Sequence, residues 1–93
     1  MGRREQFWNR ISRAEETGLF PGVPLIEILG DRRVLIEGHQ GVREYGTCRI
    51  RVAVKHGCVE IQGEGLELRF MTREQVVVLG RIRNVAVTGR EAP

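Results

Sequence analysis

The stretch that most restricts the fold is RIRVAVKHGCVEI, residues 49–61. Ile50, Val52 and Val54 alternate with Arg49, Arg51, Ala53 and Lys55, the two-residue period of a strand with one face in a core. Val59 and Ile61 resume the alternation after His56-Gly57. A hairpin turning at His56-Gly57, with the glycine supplying a positive φ, predicts Val54 opposite Val59, Val52 opposite Ile61 and Arg49 opposite Glu64. Every aliphatic side chain then shares one face, and a charged pair lies on the other. A slip of one residue would turn the aliphatic set out to solvent.

Upstream, Val34–Gly38 and Val42–Tyr45 flank His39-Gln40-Gly41. A three-residue loop with Gly41 in the left-handed region predicts a second hairpin, with Glu37 opposite Arg43 and Leu35 opposite Tyr45. Leu25–Leu29, after the turn signal Pro21-Gly22 and Pro24, reads as a first strand. After Gly63, Leu66, Leu68 and Phe70 alternate with Glu67 and Arg69. The unbroken run Val76–Leu79 predicts a strand buried on both faces, and Ile82–Val87 a last strand. Gly38, Gly41, Gly57, Gly63 and Gly80 are read as the structural turns between them. The expected fold is all-β: a small antiparallel sheet folded as a sandwich, roll or open barrel of about seven or eight short strands.

Ahead of the sheet, Phe7, Trp8, Ile11 and Ala14 follow helical spacing, with Arg3, Arg4, Arg10 and Arg13 around them and Gly18 as a stop. Residues 1–18 are expected to form an N-terminal amphipathic helix or arm, 19–88 the β domain and 89–93 a polar tail. Apolar residues on one side and arginine on the other suit packing on the sheet, a partner's groove or a membrane surface.

A chain of 93 residues with five aromatics makes one domain with a thin aliphatic core. Its net charge is +3, and fourteen of the fifteen basic residues are arginine. Acids interleave with them, at Arg4-Glu5, Asp31-Arg32, Arg43-Glu44 and Arg73-Glu74, so the pattern favours a solvated face over a nucleic-acid footprint. Arg49, Arg51, Arg81 and Arg83 are the candidates should nucleic acid be the partner. The predicted register turns Cys48 inward and Cys58 outward, beyond disulfide reach, so two free thiols and a reducing compartment are expected. There is no apolar run of about 18 residues to span a bilayer and no apolar signal core at the N-terminus.

The inventory of reactive groups is thin. His39 and His56 fall in predicted turns, where histidine is commonly solvated or bonded to backbone. His56 and Cys58 are close in sequence but have no third group to orient them as a nucleophilic pair. Neither histidines nor cysteines have metal-ligand spacing, the glycines form no phosphate loop, and the one serine, Ser12, lies outside the sheet. Catalytic residues, cofactor and metal are all expected to be absent.

Several motifs follow one another along the chain. Ile36-Glu37-Gly38-His39-Gln40-Gly41-Val42, followed by Tyr45, resembles the IENHxGI…Y/F signature of the YabP/YqfC family of sporulation proteins. Gly57, Val59, Ile61, Gly63 and Leu66 are similar to its G-x-L-x-I-x-G-x-x-L segment. Val78, Gly80, Ile82 and Val85 resemble its closing I-x-G-x-I-x-x-I, and Pro24–Gly30 its P-x-I-x-x-x-G lead-in. Trp8 stands where shorter members carry a tryptophan, and the resemblance is closer to the YqfC branch. Gly38 departs from the signature's asparagine, keeping tolerance of positive φ but losing an amide.

The resemblance implies a non-enzymatic part in endospore formation, in the mother-cell cytoplasm or peripheral at the forespore-facing membrane. Its implied partner is a membrane protein of the YqfD type. On this reading Phe7, Trp8, Ile11, His39 and Tyr45 are the partner-binding residues. A homo-oligomer assembled through open sheet edges is the alternative.

Overall fold

The computed structural model describes residues 23–89. They form six strands: β1 (Leu25–Leu29), β2 (Arg33–Glu37), β3 (Val42–Tyr45), β4 (Arg49–Val54), β5 (Gly57–Met71) and β6 (Gln75–Thr88). All neighbours are antiparallel, in one open sheet of order β1-β2-β6-β5-β4-β3. The described residues contain no helix. The helix expected from Phe7, Trp8 and Ile11 lies outside them.

Six strands stand in place of seven or eight because Gly63 and Gly80 bend strands instead of ending them. β5 is 15 residues long and β6 is 14. The first half of β5 pairs with β4, and the first half of β6 pairs with β2. The sheet therefore has two halves, β3-β4-β5-β6 and β1-β2-β6-β5, sharing the two long strands.

Backbone hydrogen bonds show that these halves fold over one another. Gln40 N–H donates to the Ala53 carbonyl and Ala53 N–H to that of Gly41, both at 2.7 Å. Yet Glu37 pairs at the Met71 end of β5–β6, and Ala53 opposite Cys58 at the other end. Along a straight β5 those ends would stand about 43 Å apart, at about 3.3 Å per residue. Three residues reach only about 11 Å. The bend closes the gap.

The geometry of the bend is set by missing side chains. A Cβ on Gly63 would lie 2.0 Å from the Arg81 carbonyl oxygen, and one on Gly80 would lie 2.8 Å from that of Gly65. Gly80 also has φ of 144°. Register shifts at Gln62/Gly63 and Glu64/Glu67 add the local coiling that bulges produce. The amides displaced from the ladder find other acceptors. Gly63 and Leu66 donate to the carbonyls of Cys48 and Thr47, and Gly80 and Ile82 to those of Arg32 and Asp31.

Folding over creates the core. Val34, Ile36, Val76 and Val78 from one half meet Ile50, Val52, Val59 and Ile61 from the other, all fully buried, with Leu66 and Ile82 completing the cluster. Val76, Val77 and Val78 are buried on both sides of the sheet, as the apolar run predicts.

Three features differ from the sequence reading. First, β2 and β3 form no hairpin. β2 lies between β1 and β6, with Leu35 opposite Glu27 and Val77, and Glu37 opposite Leu25 and Gln75. The run Val76–Leu79 needs a neighbour on this side, and the alternation of Val34 and Ile36 supplies it. The His39–Gly41 segment bonds to β4 instead. Second, the β4–β5 turn is Lys55-His56, and the positive φ (67°) falls on His56, while Gly57 is the first residue of β5. Val52 therefore faces Val59, Ile50 faces Ile61 and Arg49 faces Gln62. This displacement is two residues, so the inward face is unchanged. Third, Cys48, expected to face inward, is exposed because it precedes β4; the expected free state of both thiols holds.

A Gly63→Ala substitution is expected to destabilise the domain by about 3 kcal/mol, because two backbones would have to separate at the bend. At Gly46 an added Cβ meets only the Arg49 oxygen at 3.4 Å, with no positive φ to oppose it, so Gly46→Ala should change stability far less. Urea midpoints of the two variants compare them directly; equal midpoints would refute this account of the bend.

Candidate interaction surface

Of the five residues expected to bind a partner, Phe7, Trp8 and Ile11 lie outside the described residues. His39 precedes the short strand β3 by three residues, and Tyr45 is the last residue of that strand. Tyr45 is opposite Ile50 at the sheet edge and 60% exposed.

His39 spends both ring nitrogens on backbone. Its Nδ1 accepts from Gly41 N–H at 3.0 Å, and its Nε2 donates to the Thr72 carbonyl at 2.7 Å. This arrangement selects the neutral Nε2–H tautomer. Beside it, Gly38 N–H donates to the Glu74 carbonyl at 2.8 Å. Gly38 and Gly41 both have positive φ, at 86° and 117°. Thr72 in turn accepts at Oγ1 from the amides of Glu74 and Gln75. The connection after β2 thus clamps the β5–β6 turn and then reaches β4.

The outward arginines of β4 are held by carboxylates. Arg49 approaches Glu44 and Glu60 at 3.4 Å each, and Arg51 approaches Glu44 at 3.8 Å. At the bend Arg83 pairs with Glu64 at 2.9 Å, in place of the Arg49–Glu64 pair predicted from the register. Such exposed pairs contribute little to stability. They do offset the positive charge at three of the four arginines considered for nucleic acid.

A hollow at the end of the roll is lined by Gln40, Arg43, Arg51, His56, Cys58 and Thr88. The Cys58 thiol points to its neighbour's carbonyl, Val59 O, at 3.7 Å. Among the described residues no group of three or more His, Cys, Asp or Glu side chains is placed to hold a metal ion.

The two edges of the sheet are unlike each other. β3 has four residues, carries Arg43 and Glu44, and is interrupted by a register shift between Val42 and Glu44. Shortness, charge and a bulge are the devices that stop an edge from templating another strand. β1, LIEIL, is only one residue longer, but it has no bulge and its one charge is Glu27. It pairs with β2 without interruption, and Ile28 and Leu29 are 54% and 63% exposed. The sequence shows LIEIL as a strand, but only the sheet order shows it as an edge.

The fold defines a small all-β domain, a six-stranded antiparallel sheet bent over itself across two shared strands. The chain belongs to the YabP family, whose model matches residues 23–93 and so takes in every described strand. Membership points to a sporulation-related protein. Searches of curated proteins and of solved structures give no match.

Replacing His39 by alanine removes the clamp's two side-chain bonds and should cost about 1–2 kcal/mol. Nitrogen-15 shifts of the imidazole should show the Nε2–H form in the native protein. The opposite tautomer, or unaltered stability in the variant, would contradict the geometry.

Proposed function

We propose that the protein is a non-enzymatic β-sheet adaptor in endospore formation, working by surface contact. Its docking element is the β1 edge, which accepts an extended segment of a membrane-protein partner as a seventh strand. The observation that supports this reading is the contrast between a guarded β3 edge and an open, apolar β1 edge. Main-chain hydrogen bonds would supply affinity in such an addition, and alternate side chains selectivity. Glu27, alone among aliphatic residues, would favour a basic residue opposite it.

From the family resemblance, a YqfD-type membrane protein is the partner to try first, with the adaptor in the mother-cell cytoplasm at the forespore-facing membrane. The same resemblance favours the YqfC branch.

Self-assembly through β1 is the second reading, since an open edge can equally take a strand from another copy. A flush antiparallel pair of β1 strands centred on Glu27 would set two carboxylates opposite each other, which is unfavourable. That geometry weighs toward a different partner. Nucleic-acid binding ranks lower, given the carboxylates beside Arg49, Arg51 and Arg83.

The test is co-purification from sporulating cells. Wild-type protein should bring down the membrane partner. Ile28→Lys, at a position already exposed, should lose it while remaining folded, and Arg43→Glu on the guarded edge should retain it. Equal recovery with all three proteins would refute docking at β1. A concentration-dependent dimer abolished by Ile28→Lys would favour self-assembly.

A further inference from the structure

The outer faces of the two halves differ in chemistry. Outside the β3-β4-β5-β6 half, cross-strand rows read Glu44-Arg51-Glu60-Ala86 and Arg49-Gln62-Asn84, with the ion pairs described above. This is the polar outer side expected where an antiparallel sheet meets water. Outside the β1-β2-β6-β5 half, the rows read Leu29-Arg33-Leu79-Glu67 and Glu27-Leu35-Val77-Phe70. Leu25 extends the same face beside Glu37. Leu29 is 63% exposed and Phe70 50% at the margins of this face, while Leu35 and Val77 at its centre are buried. Half of one sheet is thus apolar on both sides, and its second apolar side calls for a cover.

We propose that the chain supplies the cover itself, residues 1–18 docking on this outer face through Phe7, Trp8 and Ile11. Three observations favour this occupant. The chain enters the sheet at β1, the edge strand of this half. Residues 17–22 can span at most about 20 Å, and four strands make a face only about 15–19 Å wide. The stretch 3–16, read from its spacing as a helix, would be about 21 Å long and would cross that width. Charges also favour it: Arg3, Arg4, Arg10 and Arg13 flank the apolar stripe, while Glu27, Glu37 and Glu67 outnumber Arg33 on this face, Glu67 also pairing with Arg69 at 3.0 Å. Finally, a short tether holds the segment at an effective concentration of order millimolar, which a separate partner must exceed.

The proposal concerns the outer face and stands independently of docking at the β1 edge. Trp8 is the only tryptophan, so it reports on its own surroundings without labelling. In the full-length protein its emission should be blue-shifted relative to the urea-unfolded chain and shielded from acrylamide, equally at low and high protein concentration. The double variant Leu29→Asp/Phe70→Asp changes two exposed side chains. It should keep the β-sheet circular dichroism while its Trp8 emission moves to the red and the shielding is lost; Ile11→Asp should do the same from the other side. A native Trp8 as quenchable as in urea would overturn the proposal. So would shielding that both sets of variants leave intact, shielding lost on dilution (a second copy as the cover), or shielding that arises only with anionic phospholipid vesicles (a membrane as the cover).

Discussion

Near Gly63 and Gly80, two backbones pass at a separation that leaves no room for a Cβ. The rest of the domain depends on that approach. It lets β5 and β6 bend together without losing each other, so six strands can enclose a core that a flat sheet would leave open. The bend also displaces backbone amides from the ladder. The segments just before β4 and between β1 and β2 accept their hydrogen bonds. Those connections are therefore structural members of the bend, placed by it and bracing it in turn.

The sequence showed some of this clearly, for identifiable reasons. Side chains alternate with period two, so the inward set of β4 and β5 could be read even though the turn lies one residue earlier than expected. A displacement of two residues conserves the face. His56 took the positive φ that seemed to require glycine, and moved the turn. Local pattern could not reveal which strands are neighbours. Val34–Tyr45 looks like a hairpin by its spacing, but β2 satisfies the apolar run of β6 and β3 satisfies β4, at the far side of the sheet. Nor does an isolated glycine announce whether it stops a strand or bends it. Gly63 and Gly80 bend theirs because each faces the other strand's backbone, Gly63 against Arg81 and Gly80 against Gly65, residues distant in sequence. Bulges at Arg43 and around Arg83 change side-chain parity without any mark in the hydrophobic pattern, which is why the facing of Val85 and Val87 did not follow from alternation.

The surface follows the same division between local and non-local information. The charged ladder on β4 was visible as alternating arginine, but its carboxylate partners depend on the register. His39 stood out as a motif residue, and its position between the Gly41 amide and the Thr72 carbonyl gives the motif a structural explanation. A histidine with an acceptor at Nδ1 and a donor at Nε2 can join two backbone segments that a purely donating or accepting side chain could not. The remaining signature residues fall mainly at positive-φ turns, at the bend and in the core. The exposed apolar features, the β1 edge and the outer leucines, belong to the arrangement of strands more than to any motif.

Two strands long enough to serve both halves have a further effect. Neither half is a subdomain, because cutting at the bend would sever β5 and β6 together and leave each fragment with half a core facing water. Such a molecule melts as a unit or not at all. Any change in its size has to be made at the strand ends and loops, leaving the crossing intact.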